Sequence, residues 1–249
     1  MSPTLCPMLA PIAALIIAFA QPSPPVPPIL TPAGEAAAIA WQNGVKAVRD
    51  RHAAAGPAKD RAEAVARLAE LDRAARDGLK ALESQGLSPE DLRGAQVIAW
   101  YTIGKLDREN TEALKRLAGG SGWFSIRRDG VQATADAALI VLHSVDYPFV
   151  QSALDRMKRL AANRQIDGKS YAIAYDLNEM ERGRPQLYGT QAACQGHMRM
   201  LWPLAAGEAT DAQRARIGWT DETLGETAAG MRIGEACAHD YVPPRASNR

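Results

Sequence analysis

Two long stretches of the chain, residues 59–85 and 88–118, repeat apolar residues every three or four positions. Leu, Ile, Val and Ala share one stripe, while Arg, Glu and Asp occupy the other faces. This period matches the α-helix and differs from the two-residue alternation of half-buried strands. Gly86 is suited to end the first helix, and Ser88 and Pro89 to begin the second. The pattern therefore predicts long amphipathic helices.

The most apolar segment after the N-terminus lies within residues 132–146 and is apolar on every face, which predicts a central buried helix. Similar spacing and capping signals predict further helices over residues 35–54, 149–163, 167 or 170 to 182, 210–218 and 220–238. We expect an all-α, single-domain array of about seven to eight helices over residues 34–249, with few or no strands.

The N-terminus carries an apolar run, residues 5–20, that ends in Ala18-Phe19-Ala20 before Gln21. An apolar run followed by small residues at this spacing is typical of a secretory signal peptide. We therefore expect residues 1–20 to be removed, leaving a periplasmic or secreted protein without a membrane span. A retained anchor is the alternative, although the run is shorter than the roughly 20 residues that a span needs.

Proline dominates the segment that follows, with six prolines among residues 22–32. Proline fixes φ and removes an amide donor, so residues 21–33 are predicted to form an extended tether without a core.

The charge balance and the absence of common catalytic motifs reduce the number of functional classes that the chain could belong to. The 29 basic and 28 acidic residues leave a net charge of +1, which offers no electrostatic basis for binding nucleic acid or an anionic membrane. The sequence contains no H-E-x-x-H, G-x-S-x-G or P-loop motif. No cofactor and no resident metal are predicted.

Two cysteines, Cys194 and Cys237, follow the predicted cleavage point. In an oxidising compartment such a pair predicts a disulfide, which would close a loop of about 44 residues and contribute roughly 4 kcal/mol of stability. The alternative is a zinc site, because His197 and His239 lie close to the two cysteines in sequence.

His143 lies at the end of the apolar segment, and Asp146 follows three residues later. On one helix the two side chains would share a face, as would Asp136, so Asp146 is predicted to orient a catalytic imidazole. Alternatively, His143 is a satisfied core histidine and Asp146 caps the next helix. Asn110 falls on an apolar stripe, which indicates either a structural hydrogen-bonding node or part of a binding site.

From about residue 106 to 191 the chain resembles an uncharacterised bacterial family, classed as a domain of unknown function. The resemblance rests on the order and spacing of Asp107-x-x-Asn110, Gly122-Trp123, His143-Ser144-x-Asp146, Tyr175-Asp176 and Gln186-x-Tyr188-Gly189-Thr190-Gln191. It implies that His143, Asp146, Gln186, Tyr188 and Gln191 belong to a shared feature, but it implies no known activity. On this basis residues 192–249 form a C-terminal extension.

The chain departs from the family pattern at two positions. Phe124 follows Gly-Trp where the family has proline, and Leu177 follows Asp176 where the family has arginine. A pocket that relied on that arginine for charge pairing would be altered here.

The 186–191 loop concentrates neutral polar groups after a predicted helix end, with Gln186, Tyr188, Thr190 and Gln191 as candidate ligand-binding residues. The alternative is that these groups satisfy buried backbone and hold the C-terminal segment onto the core. We further expect His143 to face this loop, because its second ring nitrogen needs a partner.

The sequence favours a ligand-binding or interaction domain of the bacterial envelope, with an unknown small molecule or envelope protein as partner. The alternative is a hydrolase-like enzyme in which His143 is the general base, Asp146 orients it, and Tyr188 or Gln191 polarises a carbonyl. Ser144 and Thr190 are the nearby hydroxyl candidates for a nucleophile.

Overall fold

The computed structural model describes residues 30–120, 122–205, 209–237 and 239–244. In these ranges the chain forms nine helices and one two-stranded hairpin, which confirms the predicted all-α class. The predicted signal peptide and most of the predicted tether lie in residues 1–29, outside the described residues. Among the helices described, none combines the length and the apolar character needed to cross a membrane.

The elements follow one another with short connections. In chain order they are α1 (Pro32–Ala54), α2 (Arg61–Leu82), α3 (Pro89–Gly119), α4 (Ile126–Asp129), α5 (Val131–Leu142), α6 (Tyr147–Ala162), α7 (Gly168–Glu181), β1 (Ala192–Gln195), β2 (Met198–Leu201), α8 (Thr210–Arg216) and α9 (Leu224–Ala229).

The three long N-terminal helices each begin at a residue whose side chain accepts a backbone N–H of the first turn. Thr31, Asp60 and Ser88 are these caps. The first helix begins three residues earlier than predicted, because Thr31 caps it and Pro32 suits its first position. The Asp91 carboxylate also accepts the N–H and hydroxyl of Thr31, at 2.9 and 2.8 Å, and so ties the start of α1 to the start of α3.

Buried apolar side chains form two clusters that α2 connects. The first cluster lies between α1, α2 and α3 and includes Trp41, Val45, Ala75 and Ile103. The second surrounds α5 and includes Val65, Phe124, Met157 and Tyr171. Because α2 contributes Ala75 to one cluster and Val65 to the other, its middle turns lie where the two clusters meet.

Helix α5 is central, as its apolar sequence predicted. It packs against α2, α3, α4, α6 and α7. Its buried positions include two polar residues, Thr134 and Asp136, and both have partners. Thr134 donates to the Val131 carbonyl and accepts the Asp167 N–H, and the Asp136 carboxylate pairs with Arg73.

The C-terminal part differs from the prediction. Gly196 and His197 have φ values of 58° and 63°, the left-handed conformation that a tight two-residue hairpin requires, and they join β1 to β2. The predicted helix over 220–238 is reduced to α9, six residues long, which Gly230 follows as C-cap. Arg232 and Gly234 then adopt positive φ values of 57° and 88°, which end any helical continuation.

A disulfide joins Cys194 of β1 to Cys237, with the two Cα atoms 6.0 Å apart, which confirms the predicted pairing. The zinc alternative is wrong, since each sulfur is bonded to the other and neither is a free thiolate. Within the described residues, no group of three or more His, Cys, Asp or Glu side chains is placed to hold a metal ion.

Candidate functional site

His143 is the C-cap of α5, and its ring is held by a residue from α2. The imidazole Nδ1 lies 3.0 and 3.1 Å from the two carboxylate oxygens of Asp72. The Asp72 side chain is only 2% exposed, whereas that of His143 is 22% exposed. The carboxylate therefore holds one edge of the ring from inside the protein, and the ring keeps some access to solvent.

A single arginine connects Asp72 to a second carboxylate. Arg76 donates from Nη1 to Asp72 at 2.6 Å and from Nη2 to both oxygens of Asp107 at 3.0 Å. Burial raises the pKa of the Asp107 carboxyl above its ordinary value, while the charge of Arg76 acts to lower it. These residues, together with Asn110, form what we call the His143 cluster.

Asn110 lies one turn after Asp107 on α3 and is 3% exposed. Its amide nitrogen Nδ2 is buried and has no hydrogen-bond partner within the described part of the chain. The next residue, Thr111, donates to the Asp107 carbonyl at 2.7 Å, and its hydroxyl lies 3.0 Å from that of Ser144. The two hydroxyls tie α3 to the turn after α5, and Asn110 brings an unsatisfied donor to the same region.

The predicted pairing of His143 with Asp146 is wrong. Asp146 caps α6 by accepting the Phe149 N–H at 3.0 Å, and it forms an ion pair with Lys115 at 2.5 Å. Lys115 is the main cause that lowers the pKa of Asp146. Helix α5 ends at Leu142, so the three-residue spacing from His143 to Asp146 is not helical and does not place the two side chains on one face.

The 186–191 loop is organised around the fully buried carboxylate of Asp176 in α7. Asp176 accepts the backbone N–H groups of Leu187, Tyr188 and Thr190, at 2.8 to 3.1 Å, and the hydroxyl of Thr190 at 3.0 Å. Burial raises the pKa of Asp176, and these four donors act in the opposite direction. Asp176 thus serves as the acceptor that shapes the loop.

The glutamines of the loop also bond within this part of the chain. Gln186 is fully buried, donates to the carbonyls of Gln191 and Trp202 at 3.0 and 2.7 Å, and accepts the Gln191 N–H at 2.8 Å. The Gln191 side chain donates to the Ile173 carbonyl and to the Thr190 hydroxyl. These amides therefore satisfy the protein's own backbone, which was the alternative that the sequence left open.

Tyr188 packs its ring against Tyr171 and Tyr175, with centroids 5.9 and 5.7 Å apart, and burial raises its pKa to about 12. The buried Arg214 donates to the Tyr188 carbonyl at 2.8 Å and stacks on Trp219 at 4.0 Å. In the described part of the chain, no hydrogen bond joins His143 to the 186–191 loop, so their expected contact stays a prediction.

Sequence patterns missed several residues that organise the two regions. Asp72 and Arg76 are four residues apart on α2, a spacing that indicates an ion pair but not its burial against α5. Arg214 lies within a short charged helix and carries no sequence signal of burial. Asp107 and Asp176 were visible only as members of the motifs that carried the family resemblance.

The fold and the site define an all-α protein with a cluster of carboxylates, arginine and histidine between α2, α3 and the end of the central helix α5. The chain belongs to a family of unknown function (DUF6624), whose sequence model matches residues 89–231. The match runs from α3 past α9 and so includes the hairpin and Arg214, well beyond the 106–191 span of the resemblance. No curated protein and no solved structure matches the chain.

Proposed function

We propose that this chain is an extracytoplasmic domain, periplasmic or secreted, that binds a small polar ligand at the exposed edge of His143. The Cys194–Cys237 disulfide supports the compartment, because disulfides persist mainly where the surroundings are oxidising. The apolar run over residues 5–20 and the small residues that end it support export.

The contact between Asp72 and His143 is the observation that carries the binding proposal. A carboxylate only accepts hydrogen bonds, so Nδ1 of the ring carries the proton that faces Asp72. In the neutral imidazole, Nε2 then keeps a lone pair and can accept a hydrogen bond from a ligand. Because Asp72 fixes both the tautomer and the orientation, the ring is preorganised for such a contact.

Asn110 and a neighbouring cleft support the same proposal. A buried donor without a partner costs about 1–3 kcal/mol, and a ligand acceptor at the Asn110 amide would recover that cost. A cleft of about 320 Å³ is lined by residues that adjoin Asn110 and His143 in sequence, although neither of those two side chains lines it. Thr111, the neighbour of Asn110, lines it together with Val145 and Asp146, which belong to the turn after His143. Its size suits a small polar molecule.

The test compares two single histidine variants for retention of small molecules. His143→Gln keeps one hydrogen-bonding group toward Asp72 and removes the imidazole. His52→Gln is the matched control, because His52 is similarly exposed and also pairs with a carboxylate, but its partner Glu70 is 48% exposed where Asp72 is buried. Each protein is dialysed to equilibrium against the small-molecule fraction of a bacterial extract, and retained compounds are identified by mass spectrometry.

We expect wild type and His52→Gln to retain a compound that His143→Gln retains at least about tenfold less. Circular dichroism melts establish that all three proteins are folded. Equal retention by folded His143→Gln, or no retention by wild type, would contradict the proposal.

A second candidate is a hydrolase-like enzyme in which His143 is the general base and Asp72 takes the orienting role first predicted for Asp146. The 3.0 Å contact of Asp72 with Nδ1 favours it, since a buried carboxylate that orients a histidine is a common general-base arrangement. The Ser144 hydroxyl is engaged by Thr111 and by the Asp146 N–H, so water is the nucleophile in this proposal.

The enzyme candidate is tested by screening chromogenic esters and phosphodiesters at several pH values. Asp72→Asn should lower kcat about 100-fold, whereas Asp77→Asn, on the exposed face of the same helix, should leave it unchanged. Hydrolysis that survives Asp72→Asn, or no hydrolysis of any substrate, argues against this candidate.

A further inference from the structure

A cleft of about 490 Å³ lies between the turn before α4 and the outer face of α6. We call it the arginine cleft, because its lining includes three arginines, neutral polar groups and no acidic residue. The residues that matter for its chemistry are Trp123, Ser125, Arg128, Arg156, Arg159 and Asn163. His143 does not line it, so the cleft is separate from the site proposed above.

The cleft carries an excess of positive charge. Arg156 and Arg159 lie three residues apart on α6, and both are exposed. Arg128 pairs with the buried carboxylate of Asp129, which also pairs with Arg61. Across the described ranges neither Arg156 nor Arg159 forms an ion pair. Two guanidinium groups on one face of a helix are therefore available to bind an anion.

Trp123 provides a second and independent indication of a ligand. The residue is 6% exposed, and its indole Nε1–H is buried with no hydrogen-bond acceptor among the residues that the structure describes. Contacts with Phe124 and Phe149, each at 6.4 Å between ring centroids, hold the ring in place. A tryptophan buried to this extent normally has an acceptor for its N–H. An anion seated in the cleft would supply one.

We propose that the arginine cleft binds the phosphate group of a small phosphorylated metabolite. Guanidinium groups bind phosphate oxygens in bidentate, charge-assisted hydrogen bonds, and the Ser125 and Asn163 side chains add neutral donors. The cleft is far larger than a phosphate ion, so it also has room for an organic group. Leu160 adds an apolar surface to the lining for that group.

The test measures Kd by calorimetry at low and physiological ionic strength for a hexose 6-phosphate, inorganic phosphate and the unphosphorylated hexose. The cleft variant is Arg156→Gln/Arg159→Gln. The matched control, Arg93→Gln/Arg216→Gln, removes the same charge from two exposed arginines on α3 and α8. We expect the cleft variant to lose hexose phosphate affinity by about tenfold or more, and the control to stay within about twofold.

Trp123→Phe keeps a ring but removes the N–H, and it should weaken hexose phosphate binding by about threefold or more. In wild type, the indole N–H resonance that this variant lacks should move on titration with the ligand. If Trp123→Phe does not fold, that resonance is assigned by selective labelling and the arginine variants still decide the question.

Several results would overturn the proposal. They are equal affinity of the cleft and control variants, equal affinity for the phosphorylated and unphosphorylated hexose, no binding at all, or a preference for a long polyanion such as an oligonucleotide. His143→Gln should bind the hexose phosphate as wild type does. The experiments therefore test the two proposed sites independently of each other.

Discussion

Replacement of Asp176 by alanine should loosen the 186–191 loop. The carboxylate accepts three backbone N–H groups and one hydroxyl. Each lost hydrogen bond costs about 1 kcal/mol, and a donor left buried without a partner costs up to about 3 kcal/mol. Relief of the buried charge offsets part of this cost. We therefore expect Asp176→Ala to lower the free energy of unfolding by about 4 kcal/mol.

This loss corresponds to a fall in Tm of about 10 °C for a chain of this size. Urea denaturation followed by circular dichroism measures the change in free energy, and the helical content of the fold makes that signal strong. Asp176→Asn keeps one acceptor oxygen and should cost about 2 kcal/mol. Asp77→Ala is the control, because that carboxylate is 70% exposed and its loss should change stability by less than about 0.5 kcal/mol.

Amide hydrogen exchange locates the effect. In Asp176→Ala the amides of Leu187, Tyr188 and Thr190 should lose protection before those of α5, since their acceptor has gone. The reasoning is refuted if Asp176→Ala costs less than about 1 kcal/mol, or if the three amides keep their wild-type protection.

Four further predictions follow from other parts of the chain. Cys194→Ser/Cys237→Ser should lower the free energy of unfolding by about 4 kcal/mol in urea denaturation, because the disulfide closes a long loop across 43 positions. An unchanged denaturation midpoint would contradict this. Arg214→Lys should lower the free energy of unfolding by about 2–3 kcal/mol in the same assay, since an ammonium group cannot reach several carbonyls and stack on an indole at once. A loss below about 1 kcal/mol would contradict this prediction. The pKa of Asp146 is lowered in the folded state, so its stabilising effect is present above the ordinary aspartate pKa and lost as the pH falls through the lowered value. The difference in stability between Asp146→Asn and wild type should therefore be full at neutral pH and shrink as the solution is acidified below the ordinary aspartate pKa, and parallel curves would refute this. Mass spectrometry of the exported protein should find Gln21 as its first residue, and an exported form that begins at Met1 would show that the apolar run is retained.

Local chemistry made much of the architecture predictable. The three-four spacing of apolar residues, with Ser88 at a cap and Gly86 at an end, predicted α2 and α3 nearly in full. The apolar segment after residue 132 predicted a central helix for the same reason, because a helix without a polar face must be surrounded. The hairpin was missed because its strands have only four residues each, too few for a clear alternation.

The partners of the polar residues were beyond the reach of sequence patterns. The sequence singled out His143, but its partner is Asp72, which lies 71 positions away on α2. Whether Asp72 or Asp146 pairs with His143 depended on where α5 ends and on which face of α2 packs against α5. Likewise, the polar groups of the 186–191 loop were visible, but the acceptor at its centre, Asp176, was not identified as such.

The sequence by itself determined most of the helices, favoured the disulfide over a zinc site and marked polar residues that needed partners, because those properties depend on local spacing, capping and composition. Only the tertiary structure decided which partners they have. Hydrogen bonds and ion pairs act over a few ångströms, so they depend on how distant helices pack and not on distance along the chain. Among the described residues, the same packing left the amide of Asn110 and the indole N–H of Trp123 without acceptors, and each of these groups supports one of the two proposed binding sites.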